Sequence, residues 1–277
     1  MEVTVGLFLV LFVLAFICEY IDSSVGMGYG TILSPVLIIL GFHPVVAVPA
    51  VLLSQACGGL AASVFHHQFK NVSFHHDSKD LKIVFVISGF GVIATIIAAL
   101  IAITIPKIVL QTYIGALVLV MGIIILLNRK FNFSWKKMVG IGVLSAFNKG
   151  ISGGGFGPVV TAGQIMAGQD HKAAIGATTL SEAPICIASF LTYLIGRAAT
   201  EIKVPIMDAG VKEFISIMFS PKMFQWELLL ALLLGAVLVA PFGAFTTRKL
   251  NEKYLAVILG IIIIILGSWT LIKAYFP

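Results

Sequence analysis

The stretch Val25-Gly26-Met27-Gly28-Tyr29-Gly30 recurs in altered form as Ser152-Gly153-Gly154-Gly155-Phe156-Gly157, and each run interrupts a long apolar segment. A shift of 127 positions aligns the two runs. The alignment continues without a gap from Gly26 to Ala56, with ten identities in 31 positions. Because the agreement extends well past the glycines, we interpret it as an internal duplication. We expect the two runs to face each other inside a membrane.

The composition is that of a membrane protein. Of the 277 residues, 59% are hydrophobic and 11% are charged, and the mean hydropathy is +1.08. Runs such as 5–17, 83–105 and 257–271 approach the roughly 20 residues with which a helix crosses about 30 Å of hydrocarbon. No segment shows the period of two that a membrane barrel requires. The sequence therefore predicts an all-α, polytopic integral membrane protein, which we place in the cytoplasmic membrane.

The net charge of +6 would suggest a nucleic-acid partner in a soluble chain. Here the basic residues lie in short loops between apolar segments, where the positive-inside rule explains them. We therefore predict no nucleic-acid partner, and the lipid bilayer as the surroundings of the protein.

Two halves of similar plan make up the chain, and we place the repeats at 1–130 and 131–277. Each half has a long apolar segment, the glycine run, a short apolar segment and three further apolar segments. The predicted segments are 3–24, 31–41, 44–65, 83–104 and 107–127 in the first half, and 138–152, 158–168, 171–195, 227–247 and 252–273 in the second. Gly115 aligns with Gly260 only at a shift of 145, which indicates an insertion. We place it in the polar stretch at about 196–225 and expect a short surface helix there.

The relative direction of the halves depends on how the first two segments of each half cross the membrane. Residues 3–41 would reach about 60 Å as one helix, too long for a single crossing. A re-entrant or doubly crossing pair makes the number of crossings between equivalent points odd, so we favour inverted repeats. Lys and Arg counts on the two sides are 11 and six for inverted repeats, and 12 and five for parallel ones. Charge alone therefore does not decide between them.

Glycine at every second position breaks a membrane helix and leaves backbone N–H and C=O groups without partners, at several kcal/mol each in lipid. Such a break is tolerated in a protein interior or beside water. The helices that we expect to restart at Thr31 and Pro158 begin with a capping hydroxyl and a first-turn proline. Their positive N-terminal ends would point at the glycine runs and attract an anion. The alternative is that the glycines only permit close helix packing, which their spacing fits poorly.

Three charged residues are predicted inside the membrane, and each costs roughly 2.5–3.5 kcal/mol unless it is paired or hydrated. Asp22 and Lys149 each lie four residues before the first glycine of their run, and Gln55 aligns with Glu182. We predict that Lys149 attracts an anion and that Asp22 or Glu182 is the proton-responsive carboxylate that couples transport. The alternative is a static ion pair between Asp22 and Lys149. Glu19, one turn before Asp22, is given no role.

The predicted substrate site combines the backbone N–H groups of the two runs with nearby hydroxyl, amide and ammonium groups. Such donors suit a small oxoanion. The residues of this predicted site are Gly26, Met27, Gly28, Tyr29, Gly30, Thr31, Ser54, Gln55, Asn148, Lys149, Ser152, Gly153, Gly154, Gly155, Phe156, Gly157 and Ser181.

Two His–His pairs, at 66–67 and 75–76, could suggest a metal site. We prefer a solvated loop, because the second half offers only His171. The three cysteines lie in apolar segments without metal-type spacing, and the glycine runs lack a nucleotide-binding context. We therefore predict no metal, no cofactor and no enzymatic activity.

The duplicated pattern resembles the sulfite exporter TauE/SafE family. The residues that carry the resemblance are Gly26-Met27-Gly28-Tyr29-Gly30 with Pro35 in the first half, and Asn148-Lys149-Gly150-Ile151-Ser152-Gly153-Gly154-Gly155-Phe156-Gly157-Pro158 in the second. The resemblance extends over nearly the whole chain. It implies a secondary transporter of small sulfur-containing or carboxylate anions, driven by the proton gradient or the membrane potential. The first run departs from the second, with Met27 in place of Gly154 and Asp22 in place of Lys149.

We therefore expect a secondary active transporter, specifically an exporter, of a small oxoanion such as sulfite or an organosulfonate. It would work by alternating access of two inverted halves around the paired runs. One alternative is a cation-coupled carrier of another small solute, with Asp22 and Glu182 binding the cation. Another is an intramembrane metal enzyme that uses the His-rich loop.

Overall fold

Eleven α-helices and no strand occur in the part of the chain that the computed structural model describes, which comprises residues 3–127, 135–201, 211–218, 220, 225–247 and 252–276. The helices are α1 (Val5–Val25), α2 (Tyr29–Ile39), α3 (Pro44–Gln68), α4 (Lys79–Thr104), α5 (Lys107–Leu127), α6 (Trp135–Ser152), α7 (Gly157–Met166), α8 (His171–Glu201), α9 (Val211–Met218), α10 (Trp226–Thr246) and α11 (Glu252–Tyr275). All except α9 correspond one to one with the ten predicted apolar segments. The predicted all-α class is confirmed.

The described helices have the length and the surface of membrane spans. Six of them, α1, α3, α4, α5, α8 and α10, are long and apolar enough to cross a bilayer. Their outward faces carry large apolar side chains, such as Phe85 on α4 and Phe242 on α10, which are 68% and 61% exposed. Charged side chains such as Asp22 and Lys149 are buried instead. Apolar groups outside and polar groups inside confirm a multi-pass membrane protein.

The two halves exchange helices in their packing. α1 lies against α10, where Gly243 meets Ser23, and its equivalent α6 lies against α4, where Gly150 meets Thr95. α10 and α4 pack in turn against α3 and α8, which contact each other. The equivalent helices α5 and α11 form a pair of their own. Each of these helices of the first half therefore packs against the same kind of partner as its equivalent in the second half does. The predicted boundary at 130–131 lies outside the described residues.

The paired helices α5 and α11 run in opposite directions. Near the start of α5, the hydroxyl of Thr112 donates a hydrogen bond to the hydroxyl of Tyr275, at the end of α11, at 3.0 Å. Near the end of α5, Gly122 lies against the carbonyl of Gly260, close to the start of the apolar part of α11. The residue numbers of the contacting positions therefore increase along α5 while they decrease along α11, as in an antiparallel pair.

The equivalent helices α3 and α8 are antiparallel as well. The carbonyl of Val45, at the start of α3, accepts a hydrogen bond of 3.0 Å from Arg197, near the end of α8. Further along α3, Gly59 lies against Thr179 in the first third of α8. Opposite directions of equivalent helices are what inverted repeats require. Inversion across the membrane stays a prediction, and the packing supports it.

Each glycine run joins a long helix to a short helix that turns back. α2 and α7 have 11 and 10 residues. At 1.5 Å per residue each covers only about 15 Å, half of the apolar thickness of a bilayer. α2 returns toward the end of α11, where Lys273 donates a hydrogen bond to the carbonyl of Ile39. The structure thus contains two helical hairpins, α1–α2 and α6–α7, whose tips are the glycine runs.

The insertion predicted at 196–225 is described in part. α8 continues through its first residues to Glu201, and the short helix α9 follows at Val211–Met218. Ile215 of α9 is 49% exposed, whereas Ile217 and Met218 pack against the core. The rest of the insertion, 202–210, 219 and 221–224, lies outside the described residues.

Gly267→Ala in α11 is expected to lower the stability of the protein. A Cβ atom at Gly267 would lie 2.6 Å from the backbone nitrogen of Leu119, an atom that no change of rotamer can move. Overpacking of this kind costs about 1–3 kcal/mol. Thermal unfolding in detergent should therefore show a lower midpoint for this variant.

Gly89→Ala in α4 is the matched control for this substitution. A Cβ atom at Gly89 meets nothing within 4 Å, and alanine favours a helix over glycine. Equal midpoints for the two variants would contradict the close packing of α11 on α5.

Candidate functional site

The two glycine runs pack against each other, backbone to backbone. Gly30 of the first run lies against the carbonyl of Gly153, and Gly157 of the second lies against the carbonyl of Gly26. These contacts are reciprocal, because Gly30 aligns with Gly157 and Gly26 with Gly153. A Cβ atom at Gly30 would overlap the Gly153 carbonyl, so this crossing requires the absence of a side chain.

The turns that make the hairpin tips also depend on glycine. Gly26 ends α1 with φ 78°, and its N–H donates to the carbonyl of Asp22 at 2.6 Å. Gly153 follows α6 with φ 75°, and its N–H donates to the carbonyl of Lys149 at 2.8 Å. Residues with a Cβ atom rarely adopt this left-handed conformation. The duplicated pattern therefore encodes the same helix stop twice.

Hydroxyl groups tie each tip to the opposite hairpin. The N–H of Gly155 donates to Oγ1 of Thr31 at 3.1 Å, and Oγ1 of Thr161 donates to the carbonyl of Gly26 at 3.1 Å. Ser34, which aligns with Thr161, lies correspondingly against Gly153. The two hairpins are thus held by a small number of polar contacts around a glycine crossing.

The predicted restart of the first short helix at Thr31 is wrong. α2 begins at Tyr29 with Gly28 at its N-cap, so Thr31 is its third residue and its hydroxyl binds the other run instead. Pro158 lies in the first turn of α7, as predicted. The prediction for Thr31 failed because its hydroxyl accepts from the N–H of Gly155 in the other run and does not cap α2.

Lys149 is the central charge of the site. Its side chain is 1% exposed, and its Nζ lies 2.8 Å from Oε1 of Glu182. The same ammonium donates a hydrogen bond to Oε1 of Gln55. The predicted alternative of a direct Asp22–Lys149 ion pair is therefore wrong. The partner of Lys149 is Glu182, because the Gln55 amide stands between Lys149 and Asp22.

Asp22 occupies the N-terminus of α2. Its Oδ1 accepts a hydrogen bond from the N–H of Tyr29 at 3.1 Å, and its Oδ2 accepts one from Nε2 of Gln55 at 3.3 Å. A carboxylate there satisfies a free N–H and interacts favourably with the helix dipole. The start of α7 has no such carboxylate, since the aligned residue is Lys149. The two hairpin tips therefore differ in charge.

Some of the predicted binding residues do not turn toward the crossing. The hydroxyl of Ser54 accepts from that of Tyr29 at 2.7 Å and donates to the carbonyl of Val51. Ser181 donates to Ala177 of its own helix. These two serines thus take part in packing within their halves.

The remaining members of the predicted site lie at the tips but differ in what they contact. Ser152 donates to the carbonyl of Asn148 at 2.8 Å and accepts from the N–H of Gly154 at 3.1 Å, so it stabilises the second turn. Phe156 is fully buried in an apolar cluster, and Met27 is partly buried. Their side chains are apolar, and only their backbones can serve an anion.

Two residues near this site are absent from the predicted set, Glu19 because no role was predicted for it and Tyr113 because no pattern pointed to it. Glu19 is fully buried one turn before Asp22. Tyr113 of α5 donates to Oδ1 of Asn148 at 2.5 Å, and it lines a surface pocket together with Thr112 and Tyr275. The pocket therefore lies one hydrogen bond away from the residue that precedes Lys149. Neither residue has a counterpart in the glycine pattern, so the duplication could not reveal them.

The histidines near the first loop have structural partners. His66 is fully buried, with Nε2 at 2.8 Å from the carbonyl of Ser23 and Nδ1 at 3.1 Å from the amide of Asn71. His67 stacks on Phe74, and His76 is exposed. Within the described ranges, no group of three or more His, Cys, Asp or Glu side chains is placed to hold a metal ion.

His43 lies outside the spans, at the N-cap of α3. Its Nδ1 accepts the N–H of Val45 at 3.4 Å. Partial burial lowers the pKa of His43, and the positive charges of Lys107 and Arg197 lower it further. The neutral ring that results is the form that can accept a capping hydrogen bond.

The chain is similar to a known protein family and to a membrane transporter from a bacterium. The profile of the family described as "Sulfite exporter TauE/SafE" matches residues 11–270. The "Probable membrane transporter protein YtnM" of Bacillus subtilis (strain 168) is 25% identical over 280 residues, which cover 96% of this chain and 84% of that protein. No solved structure matches the chain significantly.

Gly154→Ala is expected to separate the two tips. A Cβ atom there would lie 2.8 Å from the backbone nitrogen and Cα of Thr31, so α2 has to move. We expect a lower unfolding midpoint in detergent, with a loss of about 1–3 kcal/mol. Gly140→Ala in α6 is the control, because a Cβ atom at Gly140 meets nothing within 4 Å. A midpoint for Gly154→Ala as high as that of the control would contradict the contact between the runs.

Gln55→Leu is expected to destabilise the protein because it removes a shared partner of Asp22 and Lys149. Leaving buried polar groups without that partner costs about 1–3 kcal/mol. Gln111→Leu in α5 makes the same chemical change at a partly buried position that is not a partner of Asp22 or Lys149. Unfolding midpoints of both variants, measured side by side, check this prediction. If Gln111→Leu lowers the unfolding midpoint more than Gln55→Leu does, the link that Gln55 makes between Asp22 and Lys149 contributes little to stability.

Proposed function

This chain belongs to the sulfite exporter TauE/SafE family, and from that premise we propose that it is a secondary active transporter of a small oxoanion. Sulfite or an organosulfonate is the proposed substrate, the cytoplasmic membrane the proposed location and export the proposed direction. The B. subtilis relative is named a probable membrane transporter, which supports transport as the activity. The observation that carries the choice of an anion is the buried ammonium of Lys149 at the crossing of the two tips.

The N-terminus of α7, at the end of the glycine run that follows Lys149 in the chain, supports the proposed anion site. Pro158 has no N–H, and the N–H groups of Gly157 and Val159 have no acceptor among the residues that the structure describes. Free N–H groups at a helix start bind anions, and the helix dipole strengthens the attraction. At the other tip, the Asp22 carboxylate already holds the corresponding position on α2. We therefore propose that Asp22 occupies the anion position on α2, and that the start of α7 is the position open to a substrate anion.

The contacts between the tips leave the crossing closed, so an anion can enter only when the hairpins separate. Gly154 lies against Thr31, and Gly157 lies against the carbonyl of Gly26. The hairpins come from opposite halves, which we propose to be inverted. Movement of one hairpin would then open the crossing to one side of the membrane, and movement of the other to the opposite side. This is the alternating access that we propose.

Glu182 provides the proposed link to protons. In the closed arrangement its carboxylate neutralises Lys149 at 2.8 Å. A substrate anion that takes this place leaves Glu182 buried and unpaired, which is unfavourable until the carboxylate binds a proton. Asp22 is the second carboxylate that we propose to respond to protons, through its link to Lys149 by Gln55. Anion movement and proton movement would thus be coupled at one ammonium.

An excess of buried acid supports a second proposal, that of a cation-coupled carrier. Glu19, Asp22 and Glu182 are each at most 4% exposed, and Lys149 is the one buried Lys or Arg near them in the described part of the chain. In this proposal Asp22 and Glu182 bind the coupling cation instead of a proton. Uptake of a small solute into proteoliposomes that requires sodium, and whose rate does not change with pH, would favour this second proposal.

Flux of sulfite into proteoliposomes tests the anion proposal, with the double variant Lys149→Gln/Glu182→Gln as the key protein. A single substitution leaves one buried charge unpaired and costs about 3–5 kcal/mol, whereas removal of both charges avoids that penalty. We expect the double variant to fold and to lose saturable uptake by about tenfold or more, equivalent to about 1.4 kcal/mol of binding energy. Lys107→Gln, at the exposed start of α5, is the control and should transport normally.

Two results would contradict this proposal. The first is saturable sulfite or sulfonate uptake by the double variant at the wild-type rate. The second is the absence of uptake of sulfite, sulfonates and sulfate under any gradient by wild-type protein that is shown to be folded in the vesicles.

A further inference from the structure

Glu19 is a buried carboxyl group that the proposed anion site does not use. It is fully buried on α1. Neither of its carboxyl oxygens has a hydrogen-bond partner in the described part of the chain. The other two buried acids differ in this respect, since Asp22 accepts from Tyr29 and Gln55, and Glu182 pairs with Lys149. Of the three, Glu19 alone lacks donors that would stabilise a negative charge.

On the side of α3 and α10, the Glu19 carboxyl group lies against small apolar residues. It lies against Gly58 of α3, where a Cβ atom would come within 3.0 Å of its Cδ and 3.2 Å of its Oε1. The methyl group of Ala236 on α10 lies at the same point. The group is thus enclosed where α1, α3 and α10 pack together. A metal cation would need several oxygen ligands, which Gly58 and Ala236 do not supply from side chains.

An ionised carboxylate in this position would be strongly unfavourable. Burial of an unpaired charge costs several kcal/mol, and a group in such a place becomes neutral instead. α3 has no Asp, Glu, Lys or Arg, its titratable groups being Cys57, His66 and His67, and α10 has only Glu227 in its first turn. The titratable groups that interact electrostatically with Glu19 are Cys18, Asp22, Tyr29, Lys149, Glu182 and Cys186.

We propose that Glu19 is a proton-binding site of the transport cycle. In the closed arrangement the carboxyl group holds its proton between α1, α3 and α10. When the α1–α2 hairpin moves away from α3 and α10, water reaches the group, and the acid gives up its proton to water and becomes a carboxylate. The carboxylate must take up a proton again before the helices can close on it. This inference rests on the proposed function and names a further group in its coupling.

The position of Glu19 ties this proton to movement of the anion site. Glu19 lies one helical turn before Asp22, and Asp22 holds the start of α2. A displacement of the α1–α2 hairpin therefore moves the carboxyl group and the first glycine run together. Closure with an unprotonated Glu19 would bury a charge, so the proton becomes a condition for closure.

Glu19→Gln tests the proposal, because glutamine keeps the shape and can neither bind nor release a proton. In proteoliposomes, we expect the variant to keep sulfite counterflow, in which sulfite exchanges at equal pH on both sides. Accumulation of sulfite driven by a pH gradient should fall by about tenfold or more, which corresponds to about 1.4 kcal/mol. Wild type and variant meet the same sulfite species, so titration of sulfite itself does not affect the comparison. Glu227→Gln, at an exposed position of α10, is the control and should keep both activities.

Infrared spectroscopy gives a readout that does not depend on transport. At neutral pH, the closed wild-type protein should show the carbonyl stretch of a protonated carboxylic acid, and Glu19→Gln should lack it. An identical spectrum for the two proteins would overturn the proposal, as would wild-type accumulation under a pH gradient by Glu19→Gln. Sodium-driven uptake that Glu19→Gln abolishes would also overturn it, in favour of a cation site. Absence of counterflow in folded wild-type protein would instead overturn the proposed function.

Discussion

A lysine ammonium enclosed in an apolar helix bundle has to be neutralised where it lies, and this requirement shapes the centre of the protein. Lys149 is paired with Glu182 and bound by Gln55, which also binds Asp22. The four residues come from α6, α8, α3 and α1, so one polar chain connects both halves. An ion pair that is buried in this way adds little net stability, because desolvation opposes the attraction. In the proposed function its value is that of a charge for which a substrate anion can compete.

Glycine makes this arrangement sterically possible. Two broken helices can meet inside a membrane only if the backbone groups at the breaks find partners within the protein. Here each tip supplies partners to the other, through Gly155 to Thr31 and Thr161 to Gly26. The approach is so close that Gly30 has no room for a side chain. The same use of small residues recurs at the crossing of α5 and α11, where Gly115, Gly122, Gly260 and Gly267 lie in the contact.

Much of the fold and part of the site could be predicted from the sequence, and the division has physical reasons. Apolar length predicted ten helices, and the shift of 127 positions predicted the contact between the runs, because duplicated breaks need each other as partners. The alternative of a static ion pair between Asp22 and Lys149 was wrong, because Lys149 pairs with Glu182. Alignment shows which positions are equivalent, whereas side-chain length and the direction of approach decide whether Asp22 or Glu182 reaches the ammonium.

No role was predicted for Glu19, because it aligns with Ala146 in the second half and the repeat therefore contains no polar equivalent of it. Its enclosure results from α10, more than 200 positions later in the chain, and a contact of that range has no local signal. The same holds for Tyr113, whose hydrogen bond to Asn148 joins the two halves.

The exchange of helices between the halves has a consequence for biogenesis. α1 is synthesised before its main packing partner α10, which follows more than 200 residues later. Until then, the face of α1 that carries Glu19 and Asp22 has to remain in the nascent membrane without its final cover. Domains ordinarily fold as units in the order of synthesis. Here neither half can complete its core alone, so assembly of the whole chain is the first point at which the buried charges acquire their final surroundings.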